Sequence, residues 1–317
     1  MTVSAPTAAW SKNAFAAMGT QVSTSLMTNT PAVADREVED LFAAVERSCS
    51  RFDPASDLMR VNSQPNRPHV VSRQCAEVVQ AAYDAYVETA GLFDPRILEA
   101  LVGAGYDRTF DEVPQDVGDR TTASSCTPRT TWRPEIDPGT GSVTVGPSPI
   151  DLGGIGKGWT VDAAARLLAD HSANFLINAG GDLAVRGGGP AGDGWTAAVE
   201  DPSDLTLSIA VLRLSDASCA TSSTGRRKWR VGSQLRHHLI DPRTGEPAAG
   251  GIRSVTVIAP TTATAETWSK ALLIAGSEVI EQLTESRRLA AYWVLDDGTT
   301  RASSAMETFV VWERNPR

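Results

Sequence analysis

The sequence DLGGIGKGWTVDAAARLL, residues 151–168, places a glycine-rich turn with one lysine directly before a predicted helix. Small or apolar residues recur there at helical spacing and predict one apolar face, at Val161, Ala164, Ala165 and Leu168. Glycines let a backbone approach a ligand closely, and a helix N-terminus offers unpaired N–H groups to an anion. The stretch therefore predicts a strand-to-helix turn in which Lys157 either faces an anionic ligand or lies on the surface.

Neither of the two common phosphate-binding loops is present in this stretch. A Walker loop needs GxxxxGK followed by Ser or Thr, but Gly158 follows Lys157, and Asp151 stands where the first glycine is required. A Rossmann loop needs GxGxxG, whereas Gly154, Gly156 and Gly158 are spaced GxGxG. The spacing excludes both loop types and leaves open a phosphate site of another kind.

The composition is typical of a globular protein: of 317 residues, 41% are hydrophobic and 21% are charged. A chain of this length folds into one large domain or two modest ones. The net charge of −9 argues against a surface that binds nucleic acid or anionic membrane broadly, although it permits a local basic pocket.

The N-terminal segment has no apolar run long enough for a signal peptide or a membrane span, and no cysteine in a lipobox-like motif. A cytoplasmic location is therefore expected. The cysteines lack the spacing of metal ligands, and we expect small buried side chains at Cys49, Cys75, Cys126 and Cys219.

Apolar periodicity predicts helices over residues 35–49, 72–90 and about 265–283. Strand-like runs are NFLINAG, WTAAVEDP, LSIAVLRL and SVTVIAP, and a terminal hairpin is predicted in which LAAYWVL and METFVVW flank the turn DDGT. Strands that come in pairs with helices between them indicate an α+β fold rather than a doubly wound sheet. Residues 103–149 predict loops with short strands, and they are the boundary if the single domain over 1–317 has two lobes.

Four further segments carry polar groups beside glycine or proline turns. HHLIDPRTGEP (237–247) combines two imidazoles, a carboxylate and an arginine, and NAGGDLAVRG (178–187) follows a glycine turn with an aspartate. GLFDPRI (91–97) and AMGTQVS (17–23) are weaker signals by themselves. The occurrence of all four with the 151–168 stretch, in this order, is the specific observation.

On these motifs the sequence resembles the FAD:protein FMN transferases, the ApbE family, from about Met18 to the final strand. Further matching segments are SRFDPASDLMRVN (50–62), ATSS at Ala220, and SVTVIAP followed by a helix. The resemblance implies an enzyme that binds FAD, cleaves its pyrophosphate with magnesium, attaches FMN to a Thr or Ser of a target protein and releases AMP. It also implies an α+β fold with a duplicated T-fold-like core of antiparallel sheets packed with helices.

The resemblance also implies roles for individual residues. His238 is the expected general base, since an imidazole titrates near neutral pH, and Asp241 is expected to orient or support it. Gly154 would offer its backbone carbonyl to a metal ion. The residues expected to contact FAD are Met18, Phe52, Leu92, Phe93, Asp94, Asp151, Lys157, Thr221 and Lys270. Ser222 is expected near the phosphates together with Thr221.

A purely structural role remains the alternative for several of these residues. Met18 and Phe52 are equally consistent with core packing, and Asp151 with a turn or cap carboxylate. Phe52 stands where the family often has tyrosine. For Arg243, pinning of its own loop is slightly favoured over ligand contact.

The last predicted helix departs from the family, which has an aspartate and, four residues later, a threonine as magnesium ligands. Here Glu266 takes the first position and Lys270 the second, with Ser269 one residue earlier. A Glu and a Lys at this spacing form an ordinary helix pair worth about 0.2–0.5 kcal/mol, or the ammonium enters the metal position. An ammonium has no lone pair for a metal.

Charge repulsion also disfavours a metal ion beside Lys270. A +1 and a +2 charge about 4 Å apart repel by roughly 8 kcal/mol at an effective dielectric near 20. We therefore expect magnesium binding to be weakened, with Glu266 and Ser269 as its remaining side-chain ligands, or FAD to bind without metal.

The predicted function is transfer of FMN from FAD to a Ser/Thr hydroxyl of an acceptor protein. The alternatives are an FAD-binding relative with weakened or lost transfer, and a hydrolase that converts FAD to FMN and AMP. The predicted partners are FAD and the acceptor protein, with no nucleic acid and no membrane span.

Overall fold

The structure, a computed structural model, describes residues 8–116, 131–137 and 139–314. The helices in these ranges are α1 (Pro31–Cys49), α2 (Asp57–Ser63), α3 (Arg73–Glu88), α4 (Leu98–Gly103), α5 (Gly156–His171), α6 (Thr262–Ala275) and α7 (Ile280–Arg287), with a 3-10 turn at Phe110–Glu112. The strands are β1 (Ala9–Ala17), β2 (Thr20–Thr28), β3 (His69–Val70), β4 (Glu135–Asp137), β5 (Ser142–Thr144), β6 (Phe175–Ala179), β7 (Asp182–Arg186), β8 (Trp195–Asp201), β9 (Asp204–Leu214), β10 (Ala217–Ser223), β11 (Lys228–Val231), β12 (Gln234–His237), β13 (Ile252–Ala259), β14 (Ala290–Leu295), β15 (Thr300–Ala302) and β16 (Val310–Glu313).

The largest sheet has eight strands in the order β1-β2-β6-β7-β10-β13-β14-β15, and each strand is antiparallel to its neighbours. Helices α1, α5 and α6 cover one face of this sheet, and the smaller sheet β16-β9-β8 covers part of the other. Alternation along β10 shows the two layers: Ala220 packs towards α6, whereas Cys219 packs towards the smaller sheet. The predicted α+β class with antiparallel sheets is confirmed.

Three of the four predicted helices form nearly as expected, and α5 follows the glycine-rich turn as predicted. The 35–49 segment lies within α1, and the 72–90 segment becomes α3, where the Ser72 hydroxyl accepts the Cys75 amide as the N-cap. The single helix predicted over 265–283 is wrong, because Gly276 adopts a φ of 91° and divides it into α6 and α7.

The strand predictions are confirmed for the runs that become β6, β8, β9 and β13. The terminal hairpin is half right. The turn DDGT does reverse the chain, but β14 pairs with β15, and β16 within METFVVW pairs with β9 in the smaller sheet. Met306, which is fully buried between the two sheets, lies on the segment that carries the chain from one sheet to the other.

The stretch over 103–149 contains, in its described part, the 3-10 turn and the short strands β4 and β5, in agreement with the predicted loops and short strands. Residues 117–130, including Cys126, lie outside the described residues. The other three cysteines, Cys49, Cys75 and Cys219, are buried and free, as expected. A division of the chain into two lobes near this stretch stays a prediction.

Among the helices of the described ranges, none combines the length and the apolar character needed to cross a membrane. The predicted cytoplasmic location stays a prediction.

Candidate active site

The N-terminus of α5 meets α6 at very close range. The Gly158 amide donates to Oε2 of Glu266 at 2.8 Å, so a carboxylate from α6 satisfies one of the unpaired N–H groups at the start of α5. A Cβ on Gly158 would lie 2.9 Å from the Cα of Ala263 and 2.8 Å from that same Oε2. Only glycine at this position lets the two helices approach so closely.

Two lysines share the other oxygen of this carboxylate. Oε1 of Glu266 accepts hydrogen bonds from Nζ of Lys270 at 2.9 Å and from Nζ of Lys157 at 3.3 Å. Glu266 is only 1% exposed. Burial alone raises the pKa of the Glu266 carboxyl, but the two ammonium groups outweigh it and hold that pKa below its usual value. The carboxylate is therefore ionised and serves three donors.

Lys157 also pairs with a carboxylate from a different motif. Its ammonium contacts Oδ2 of Asp182, the first residue of β7 and the last of the NAGGD segment. Burial lowers the pKa of Lys157 to about 8, although the Glu266 carboxylate opposes the shift. The structure thus brings the GKG turn, NAGGD and α6 to one point, and it adds Asp182, which the sequence-based prediction of site residues missed.

The turn before α5 lies against Lys270 and Phe93. A Cβ on Gly154 would lie 3.0 Å from Cε2 of Phe93 and 3.5 Å from Cδ and Cε of Lys270, so the lysine stem passes beside this backbone. Phe93 is buried in the core below α3, and its neighbour Leu92 packs against the cluster around α6. The LFD segment therefore connects the two cores beside the glycine turn.

Met18 reaches the start of α5 from the β1–β2 hairpin. Its φ of 52° and the φ of 65° at Gly19 form a two-residue hairpin turn with both central residues left-handed. This conformation costs a non-glycine residue about 1–3 kcal/mol, and such strain is frequent at functional sites. The methyl carbon of Met18 lies 3.5 Å from the position of a Cβ on Gly156, and a Cβ on Gly180 of NAGGD would clash with the Thr20 hydroxyl.

His238 lies in the same positively charged region. Its Nδ1 is 3.4 Å from the carbonyl oxygen of Arg227; a carbonyl only accepts, so Nδ1 carries the proton and Nε2 keeps a free lone pair. Burial lowers the pKa of His238 well below its usual value, and the charges of Arg227 and Lys270 lower it further. The imidazole is therefore neutral at pH 7 and able to accept a proton.

Asp241 is held by its own turn rather than by His238. Its carboxylate binds Arg243 in bidentate fashion, Oδ1 to Nε at 2.9 Å and Oδ2 to Nη2 at 2.8 Å, and no described contact joins it to His238. Asp94 and Arg96 repeat this geometry, with the corresponding distances 3.0 and 2.8 Å. Both aspartates therefore pin a DPR turn, which is the structural alternative considered for Arg243.

Asp151 forms a buried ion pair with a residue that the prediction of site residues missed. Its Oδ2 lies 3.0 Å from Nε of Arg51, and both side chains are less than 10% exposed. The Arg51 guanidinium is 4.1 Å from the ring centre of Phe52 and 4.4 Å from that of Tyr106. Asp151 thus ties the glycine turn to the SRFDP segment, and Phe52 remains 37% exposed. The signal for Arg51 was its position directly before Phe52.

Of the two ATSS residues expected near the phosphates, Ser222 is the one whose hydroxyl faces α6. Adjacent residues of β10 face opposite sides of the sheet. Thr221 pairs across the sheet with Thr256, whose hydroxyl is 2.9 Å away, whereas Oγ of Ser222 lies 2.8 Å from Oγ of Ser269 on α6. Ser222, not Thr221, therefore lies on the face that carries Lys270.

The side chains expected to bind magnesium do not fit that ion. Mg²⁺ requires near-octahedral oxygen ligands, but both oxygens of Glu266 are occupied by N–H donors, and the Ser269 hydroxyl donates to the Glu266 carbonyl at 3.0 Å. The Lys270 side chain, 15% exposed, places its ammonium beside the Glu266 carboxylate. In the described ranges, no group of three or more His, Cys, Asp or Glu side chains is placed to hold a metal ion.

Comparison with known proteins assigns the fold and the family. The sequence profile described as the ApbE family matches residues 18–293, and the chain therefore belongs to the ApbE family. An FAD:protein FMN transferase of Salmonella typhimurium (strain LT2) is 28% identical over 277 residues, which cover 84% of this chain and 79% of that protein. Another from Klebsiella pneumoniae (strain 342) is 32% identical over 171 residues, 52% of this chain and 49% of that protein.

A solved structure agrees with this assignment. The crystal structure of the ApbE protein from Thermotoga maritima matches with a TM-score of 0.83 at 25% identity, and the match covers 97% of this chain and all of the other. The predicted family is confirmed, and the Salmonella and Klebsiella relatives are FAD:protein FMN transferases.

Proposed function

We propose that this protein is an FAD:protein FMN transferase, which moves FMN from FAD to a Ser or Thr hydroxyl of an acceptor protein and releases AMP. The observation that supports it most is the convergence of separated motifs at the N-terminus of α5. Met18, Phe93, Lys157 and Lys270 all approach this point, from four different parts of the chain. Membership in the ApbE family gives this arrangement its substrate.

The proposed FAD contacts are of two kinds, charged groups for the diphosphate and apolar or aromatic surface for the rings. Lys157 and Lys270 supply positive charge for the diphosphate, and Phe52 has an open aromatic face for a ring system. Met18 and Phe93 supply apolar surface beside the glycine turn. Leu92, Asp94 and Asp151 do not contact FAD in this proposal but hold the segments that form the site. Ser222 rather than Thr221 is the proposed hydroxyl contact.

The proposed reaction is an in-line displacement at the phosphorus of the FMN half. The acceptor hydroxyl oxygen forms the new P–O bond, the bond from this phosphorus to the bridging oxygen breaks, and AMP leaves with the electron pair. The hydroxyl proton passes to Nε2 of His238, which is neutral before the step. The Arg227 carbonyl orients the imidazole through Nδ1, the role expected of Asp241. Lysine ammonium groups offset the charge that develops on the phosphates.

Incubation of the purified protein with FAD and a cell extract as the source of acceptors tests the proposal. A protein band with covalently bound flavin fluorescence should form, together with AMP in equal amount, and the intact mass of the purified acceptor should rise by one FMN. His238→Gln should lower the rate by about 10²–10⁴-fold while FAD still binds, because only the proton transfer is lost.

The matched control is His69→Gln, on β3 away from α5, which should keep the parent rate. AMP and free FMN without any labelled protein would support the hydrolase alternative. Neither AMP nor labelled protein from any extract would contradict the enzyme and favour a protein that only binds FAD.

A further inference from the structure

The region where the start of α5 meets α6 contains more positive charge than its carboxylates neutralise. Lys157 and Lys270 share Glu266, and Lys157 also contacts Asp182. Arg227 adds a third cation, and within the described ranges no carboxylate pairs with its guanidinium. Because His238 is neutral, it does not change this balance of charges. The region therefore carries excess positive charge, which favours the binding of an anionic ligand.

Arg227 is linked to His238 through its backbone, and its side chain adds a positive charge to the same region. Its carbonyl oxygen lies 3.4 Å from Nδ1 of His238, which fixes the residue beside the proposed base. Its guanidinium is close enough to act electrostatically on both Lys157 and His238. Its charge adds to the positive field that Lys157 and Lys270 create for a phosphate, and its planar fork suits phosphate oxygens.

The same contacts leave a divalent ion without ligands. A metal ion would need Glu266, but its carboxylate already accepts the Gly158 amide and two ammonium groups. Releasing the carboxylate would leave Lys270 without its counter-charge in a largely buried region and Lys157 with Asp182 alone, which is unfavourable. Lys270 itself has no lone pair to offer while it is protonated.

We infer that Lys157, Lys270 and Arg227 bind the diphosphate of the substrate directly, and that binding requires no divalent metal ion. This inference rests on the proposed function, which makes a dinucleotide the substrate. Glu266 is a positioning residue in this arrangement: it aims two ammonium groups at one point and does not contact the phosphates. The inference assigns to Arg227 a role that its sequence context did not indicate.

Titration of the purified protein with FAD, followed by flavin fluorescence in excess EDTA and in excess Mg²⁺, tests this directly. We expect the two dissociation constants to agree within about twofold. In EDTA, Lys270→Met and Arg227→Met should each weaken FAD binding by at least about tenfold, because each removes a charge-assisted hydrogen bond. The matched control, Lys12→Met on the exposed edge strand β1, should bind FAD as the parent does.

A direct metal measurement does not depend on any variant being folded. Mn²⁺ binding to the parent protein, followed by electron paramagnetic resonance without nucleotide, should show no stoichiometric site. Lys270→Thr removes the cation and adds a hydroxyl oxygen, so Mg²⁺ should then tighten FAD binding. A parent protein that binds FAD only with Mg²⁺, or a Lys270→Thr protein as indifferent to Mg²⁺ as the parent, would overturn the inference.

The two proposals fail in different ways. Tight FAD binding in EDTA without any transfer would support cationic diphosphate binding and contradict the transferase. Transfer that requires Mg²⁺ for FAD to bind would support the transferase and contradict the inference.

Discussion

Lys270 and Glu266 lie one turn apart on α6 and form an ion pair of 2.9 Å in which the carboxylate is 1% exposed. On an isolated helix, such a pair contributes only about 0.2–0.5 kcal/mol. Here the same carboxylate also accepts Lys157 and the start of α5, so it joins two helices and orients two cations. An ordinary helix pair has thus become the centre of the candidate active site.

Glu266→Gln should destabilise the protein by about 3 kcal/mol, because the partly buried Lys270 loses its counter-charge and Lys157 keeps only Asp182, while the amide oxygen can still accept from Gly158. Urea denaturation at neutral pH measures the change in the free energy of unfolding. The control is Glu77→Gln, which removes an exposed pair with Arg73 and should have little effect. Equal effects of the two substitutions would contradict the structural role of Glu266.

Gly158→Ala should destabilise the protein by about 1–3 kcal/mol, because the added methyl would lie within 3 Å of the Ala263 backbone and of Oε2 of Glu266. Thermal unfolding provides the measurement. Gly156→Ala, two residues earlier on α5, is the matched control, since its Cβ would meet only the flexible end of Met18 at 3.5 Å. A protein that tolerates both changes equally would show that the helix contact can relax.

Arg51→Lys should cost about 1–3 kcal/mol although the charge is kept, because lysine loses the hydrogen bond from Nη1 to the Tyr106 carbonyl and the stacking on Phe52. Chemical denaturation of Arg51→Lys and of the exposed Arg73→Lys compares a buried with a solvated site. If Arg51→Lys were as stable as the parent, the fork-shaped side chain would not be what the site requires.

The stability of the protein should fall as the pH falls below 6.5. The pKa of His238 in the folded protein lies well below 6.5, so above that pH the imidazole is neutral in both states. Below it, the unfolded chain takes up a proton that the folded chain does not, and the free energy of unfolding drops by up to about 1.4 kcal/mol per pH unit.

Urea denaturation between about pH 7.5 and pH 5.5 measures this slope. His238→Gln should reduce the slope, because glutamine does not titrate, whereas His69→Gln should leave it nearly unchanged. A slope that is the same in all three proteins would contradict the burial of a neutral His238.

Local sequence patterns were sufficient for most of the secondary structure. Periodic apolar residues and end signals located α1 and α3, and strand-like runs located β6, β8, β9, β13 and β14, because those signals act within one element. The failures came where a contact from elsewhere in the chain decides. A left-handed Gly276 ends α6, and β16 joins β9 instead of the hairpin beside it. The short helix α4 was not predicted, because six residues carry too little periodicity.

Some features of the candidate site could likewise be predicted from the sequence and others could not. The glycine turn, the histidine pair and the Glu–Lys substitution were identified from the sequence, since each is a short contiguous pattern. The face of β10 that meets α6, which selects Ser222 over Thr221, was not. Nor was the pairing of Asp241 with Arg243, because an aspartate two residues before an arginine is compatible with either partner.

The sequence by itself determined the family, the order of the motifs and the presence of Lys270 four residues after Glu266, because these are properties of residue identity along the chain. Only the tertiary structure decided that Lys157 and Lys270 share the single carboxylate of Glu266, and that Arg227 lies beside His238. Lys157 precedes Glu266 and Lys270 by more than 100 positions in the sequence. The packing of α5 on α6 through Gly158 sets the distances among these three side chains. Electrostatic energies depend on such distances and on burial, and neither can be calculated from the order of residues alone.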